Sequence, residues 1–104
     1  MTAVAGRTRL HPVALYEEAL GGGDVHAVLP DGVRPLGVGT WCGEPDAVDE
    51  LVLSRCVGPV LDVGCGPGRF VAALCRDGVP ALGIDISAVA VARARARGGL
   101  ASAC

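Results

Sequence analysis

The chain has 104 residues, 51% of them apolar, and a formal net charge of −2. That length holds one small domain with a modest buried fraction. The slightly acidic balance offers no electrostatic footprint for a polyanion, so no nucleic-acid partner is expected. No stretch reaches the roughly 20 apolar residues of a membrane span. Met1 to Leu10 carries Arg7 and Arg9 without an apolar core, unlike a signal peptide. No membrane association is therefore expected, and the expected location is cytoplasmic. The five cysteines (Cys42, Cys56, Cys65, Cys75 and Cys104) are odd in number, and none is spaced as C-x-x-C. Reduced thiols and no metal site are the expectation.

Pro12 to Leu20 reads as a short amphipathic helix with Val13, Tyr16 and Leu20 on one side, closed by Gly21-Gly22-Gly23. Val25–Leu29 and Val33–Val38 lean toward strand, and Asp31-Gly32 between them predicts a hairpin turn with positive φ at both turn residues. Pro30 and Pro35 point to a short, exposed ribbon. Gly39 to Glu44 reads as a loop holding the only tryptophan, Trp41. Asp46 to Cys56 reads as a helix, with Pro45 suited to its first turn and Asp46, Asp49 and Glu50 at its positive end. Its expected buried stripe is Val48, Leu51, Val52 and Cys56.

From Gly58-Pro59 onward the pattern is α/β. Val60–Val63 predicts a strand, and a helix over Pro67 to Asp77 follows, with Phe70, Val71, Leu74 and Cys75 on one side. Ala81 to Ile86 is a second strand, apolar enough for both faces to be covered. Ser87 is an N-cap for a helix over Ala88 to Arg97, ended by Gly98-Gly99. The two strands are expected to run parallel. The chain then stops at Cys104, so a two-stranded sheet with open edges is the expected core of this part.

Between strand and helix lies Asp62-Val63-Gly64-Cys65-Gly66-Pro67-Gly68. A strand, a glycine turn and a helix start form a nucleotide-type site. A P-loop requires a lysine, and the chain has none. A dinucleotide fingerprint G-x-G-x-x-G/A places Arg69 or Val71 where a small residue is needed. The form D-x-G-x-G-x-G instead resembles the first motif of class I S-adenosylmethionine-dependent methyltransferases. The second matching piece is Leu82-Gly83-Ile84-Asp85-Ile86-Ser87, with Asp85 17 residues after Gly68.

The resemblance implies a partial Rossmann-like α/β sheet, with the N-terminal helix and β-hairpin as an extension. It implies S-adenosylmethionine as cofactor, bound by Asp62, Gly64, Cys65, Gly66, Gly68, Asp85 and Ile86. The three glycines would keep side chains out of the cofactor's path. Asp62 would orient the loop or meet the cofactor's amino group. Asp85 would accept hydrogen bonds from both ribose hydroxyls, and Ile86 would lie against adenine. Residues 1–43 then form the extension and residues 44–104 a truncated cofactor-binding domain. The family's third strand, fourth-strand loop and C-terminal hairpin are expected to be missing. The expected function is methyl transfer to an unidentified acceptor, most simply a small molecule, with little or no activity from this chain alone. The alternatives are a non-catalytic binding module of the same fold and, less favoured because of Arg69, an NAD(P)-binding fragment. No catalytic residue can be named: His11 and His26 are isolated in sequence, and Cys65 in the turn reads as a packing residue rather than a nucleophile. Arg93, Arg95 and Arg97 read as a solvated helix end.

Overall fold

The computed structural model describes residues 2–4 and 11–104. The chain divides into two compact units, one ending at Val38 and one spanning Gly39–Cys104. In the first, β1 (Thr2–Val4), β2 (His26–Leu29) and β3 (Gly32–Pro35) form an antiparallel sheet in that order. Helix α1 (Pro12–Leu20) begins at His11, whose side chain accepts the Val13 N–H at 3.2 Å. The helix buries Leu15, Ala19 and Leu20, while Val13 and Tyr16 are only half-buried. Leu15 and Ala19 form a small core with Val25, against which Leu36 and Val38 pack.

The hairpin is present, but its turn is shifted by one residue. Leu29 pairs with Gly32, which leaves Pro30 and Asp31 in the two central positions and gives Gly32 φ +145°. Proline's fixed negative φ suits the first central position of an ordinary turn and excludes the mirror-image turn expected from Asp-Gly. β3 is exposed throughout. Strand β1 lies where the sequence reading placed no element.

The second unit begins with two short helices, α2 (Val38–Trp41), which starts at the boundary, and α3 (Ala47–Leu53). A single turn such as α2 is too short to leave a periodicity, and its segment reads as loop from sequence. α3 is shorter than expected because Asp46 is its N-cap, which puts Pro45 outside the helix, and Ser54 ends it. Asp46 and Asp49 form a reciprocal capping box: Asp49 N–H donates to Asp46 Oδ1 at 2.8 Å and Asp46 N–H to Asp49 Oδ2 at 3.0 Å. Of the expected buried stripe only Cys56, just beyond the helix, packs against the core. Val48 and Leu51 are 69% and 67% exposed, whereas Asp49 and Leu53 are buried. Position 49 turns inward because its carboxylate has a partner there, described below.

β4 (Val60–Val63), β5 (Ala81–Asp85) and β6 (Ala101–Ala103) form a parallel sheet in that order. The two-stranded expectation is thus corrected: a third strand follows the last helix. Its three residues are too few and too small to carry a strand signature, and pairing with β5 defines it. Helices α4 (Arg69–Arg76) and α5 (Ala88–Ala96) link the strands. Leu53, Cys65, Val71, Ala73, Leu74, Ala81, Val91, Ala94 and Ala101 form the core, with Phe70 and Cys75 packed against its margin. Burying a side chain such as Val71 completely stabilises by about 1.5–3 kcal/mol. Many of these contacts are alanine, so the helices lie close to the sheet. The opposite sheet face is not covered among the described residues: Leu61 and Val63 are 57% and 73% exposed, and Leu82 is exposed beside Leu61. The apolar character of both faces is real, but only one is packed.

Candidate functional site

The site is built where β4 and β5 end. After Val63, the backbone reverses through Gly64, Gly66 and Gly68, with φ of +72°, +56° and +95°. Side-chain-bearing residues rarely adopt these values, which is why the turn is written in glycine. The turn wraps around the end of β5. The N–H groups of Gly64 and Cys65 both donate to the Ile84 carbonyl, at 2.8 and 3.0 Å. Gly66 N–H donates to Asp85 Oδ2 at 2.9 Å, and Gly68 N–H to the Cys65 carbonyl at 3.1 Å.

The glycines differ in what they permit. A Cβ on Gly64 would meet nothing within 4 Å. A Cβ on Gly68 would lie 2.7 Å from Ala94 Cβ and 2.8 Å from Ala94 Cα. Gly68 therefore lets α4 start directly against α5, a packing role distinct from clearing a ligand's path. Gly83, inside β5, has the matching role beneath the turn: its Cβ would meet Cys65 Cβ and Sγ at 2.7 Å. Sequence reasoning passed over Gly83, although a glycine inside a strand is a known sign of close approach.

Asp85 joins the turn to the next helix. Its Oδ2 accepts from Gly66 and its Oδ1 from the Ser87 N–H at 2.9 Å. Ser87 is buried and caps α5, its Oγ accepting from Ala90 N–H at 3.1 Å. Cys104 N–H donates to the Asp85 carbonyl at 2.9 Å. Each carboxylate oxygen thus already holds one backbone N–H, and each keeps a further acceptor direction. Ile86, the next residue, is 66% exposed.

Asp62 lies in β4, half-buried. Burial raises its carboxyl above the ordinary carboxylate value, a hydrogen bond from the Val71 backbone opposes the rise, and the Asp85 charge adds to it. Val71 is in the first turn of α4, whose N-cap Gly68 has no side chain to offer. Asp62 thus lies toward an N–H of the kind helix starts leave open, with the sign the helix dipole favours. Cys65 is buried, and burial first, then the Asp62 and Asp85 charges, push its thiol up to about 11. A protonated, enclosed thiol packs and does not attack.

The remaining candidates lie elsewhere. His26 has Asp24 at 3.4 Å, contrary to its isolation in sequence, but both are at the surface of the first unit. Arg93 is exposed as expected. Arg95 and Arg97 are not simply solvated: Arg95 Nε donates to the Ala101 carbonyl at 2.8 Å, and Arg97 donates to the Gly43 carbonyl at 2.8 Å. All five cysteines are free. Among the described residues, no helix is long and apolar enough to cross a membrane.

Residues 60–103 match the family model of a methyltransferase domain. The fold is similar to that of an S-adenosylmethionine-dependent methyltransferase from Bacteroides fragilis solved in complex with S-adenosyl-L-homocysteine, at a TM-score of 0.65 and 22% identity, over 86% of this chain and 40% of that one. It is also similar to a structure described as the conversion of a disulfide bond into a thioacetal group during echinomycin biosynthesis, at a TM-score of 0.59 and 26% identity, over 90% of this chain and 39% of that one. The chain therefore spans about 40% of the length of these neighbours. No curated protein matches the sequence. Residues 60–103, with the glycine turn, the acid ending the second parallel strand and a third strand beyond it, thus match a methyltransferase domain, and the fold is similar to that of class I S-adenosylmethionine-dependent methyltransferases.

Proposed function

We propose that the second unit binds S-adenosylmethionine at the carboxyl ends of β4 and β5 and derives from an enzyme that methylates a small molecule. The observation that carries this reading is the hydrogen-bonded junction of the glycine turn with Asp85. It presents acceptor directions of a fixed carboxylate beside an open glycine, Gly64, and an exposed apolar residue, Ile86. Those features suit the vicinal hydroxyls of a ribose and the face of an adenine. Asp62 would hold the start of α4, and with it the turn, in place beneath the cofactor. Cys65 would contribute its backbone, since its side chain fills the space over Gly83.

When bound, the cofactor supplies a methyl group on a positively charged sulfur. Transfer is an in-line displacement that depends mainly on holding donor and acceptor together. The residues named here perform the donor half of that task. The S-adenosylhomocysteine bound by the Bacteroides neighbour supports the choice of cofactor. The proposed setting is cytoplasmic, in keeping with an odd number of cysteines of which none is spaced as C-x-x-C.

The test is calorimetric titration of the purified chain with S-adenosylmethionine, S-adenosylhomocysteine and NAD in turn. Saturable binding of the first two, lost in Asp85→Ala, is expected. Binding of NAD with no heat from the other two would overturn the proposal. A second reading, a non-catalytic module completed by another polypeptide, is favoured by the uncovered apolar face around Leu61, Val63 and Leu82. A chain that binds neither nucleotide and is stabilised by association through this face would support it.

A further inference from the structure

We infer that Asp49 and Arg69 form a positioning pair that anchors the downstream limb of the glycine turn. As a positioning role for the cofactor loop this rests on the function proposed above, and its test separates the two. The turn has two limbs. The upstream limb is tied to β5, through the Ile84 carbonyl and the Asp85 carboxylate. The downstream limb, Pro67 and Gly68, contains no side chain that can form a polar bond. It runs directly into Arg69, the first residue of α4.

A cation at a helix N-terminus opposes the helix dipole, so Arg69 needs a counter-charge. Asp49 Oδ2 stands 3.1 Å from the Arg69 guanidinium, and the two side chains are only 12% and 23% exposed. The same Oδ2 accepts the Asp46 N–H and so closes the capping box of α3. The guanidinium also lies 5.1 Å from the centre of the Phe70 ring. One buried carboxylate thus fixes the start of α3 and the start of α4 together. The limb of the turn that has no side chains of its own is held by the residue that follows it. Screened from water, the pair is not interchangeable with a surface ion pair, and losing one partner leaves the other charge stranded.

The inference predicts a local pattern. In Asp49→Asn, which keeps the side-chain volume and an acceptor for the Asp46 N–H, the amides of Gly68 and Ala72 should exchange with solvent at least tenfold faster. These amides bond to the Cys65 and Gly68 carbonyls. The amides of Gly64 and Cys65, bonded to Ile84, should stay within threefold of wild type. Arg69→Lys, which retains the charge, should lie between the two proteins. Affinity for S-adenosylhomocysteine should fall about tenfold in Asp49→Asn. If Asp49→Asn does not fold, Arg69→Met, which removes the other charge of the pair, is read by the same amides. Equal acceleration at all four amides, or none at any, would overturn the inference. If the wild-type chain takes up no S-adenosylhomocysteine, the functional proposal fails alone, and the exchange pattern still decides this one.

Discussion

Replacing Gly68 by alanine tests the central packing argument. The residue sits at φ +95°, where a side-chain-bearing residue is strained by about 1–2 kcal/mol. The added methyl would also lie 2.8 Å from Ala94 Cα, a backbone atom of α5 that cannot rotate away. Forcing that contact apart costs a further 1–3 kcal/mol or so, typical of overpacking. The total is roughly 2–5 kcal/mol, a large share of the stability of a small domain. Gly64→Ala is the internal control, since its φ of +72° is strained in the same way but the new methyl meets nothing within 4 Å. It should cost only about 1–2 kcal/mol. Urea unfolding followed by far-ultraviolet circular dichroism gives both numbers, and the difference isolates the helix contact. Ala94→Gly in the Gly68→Ala background removes the contact at 2.7 Å but not the one at 2.8 Å. It should therefore rescue only part of the loss, with a coupling of about 0.5–1.5 kcal/mol in the double-mutant cycle. Equal destabilisation by Gly68→Ala and Gly64→Ala would refute the reasoning, because strain alone would then explain both.

Asp85→Asn leaves one of the Gly66 and Ser87 N–H groups facing an amide –NH2; a stability loss of about 1–3 kcal/mol is expected in urea, together with a ten- to hundredfold loss of S-adenosylmethionine affinity by calorimetry. Asp62→Asn should stabilise the chain at pH 7 and match wild type near pH 3. A carboxyl raised by burial is disfavoured once ionised, so its cost is absent below its unfolded value of 3.8 and appears as pH rises through the folded value. Thermal melts of both proteins from pH 3 to 7 check the sign. Cys65, with its thiol pushed up to about 11, should resist iodoacetamide at pH 8, where only about one thiol in a thousand is ionised, while exposed Cys104 is alkylated readily. Peptide mass mapping of the folded and urea-unfolded chain distinguishes the two sites.

Local chemistry made much of this protein legible in advance. The strand–glycine–helix order, the acid at the end of the second strand and the Ser87 cap are each written within a few consecutive residues. Backbone sterics and capping act over that same range. The hairpin was visible for the same reason, although Pro30 moved its turn by one residue. Misreadings arose where a residue's partner is distant in sequence. Val48, Leu51 and Val52 have helical spacing, but α3 rotates to bury Asp49 because Arg69, 20 residues further on, supplies its counter-charge. β6 is three small residues that become a strand only by pairing with β5.

The sequence by itself placed the glycine turn between strand and helix and narrowed what such a turn can serve. Three glycines spaced two apart after a strand admit few uses, and Arg69 and Asp85 narrow them further. Tertiary structure decided what each residue does there. It assigned Gly68 and Gly83 to close packing, Asp85 to two backbone N–H groups before any ligand, and Asp62 to the start of α4. The division has a physical cause: conformational preference acts between chain neighbours, whereas packing and desolvated charge depend on which segments the fold brings into contact.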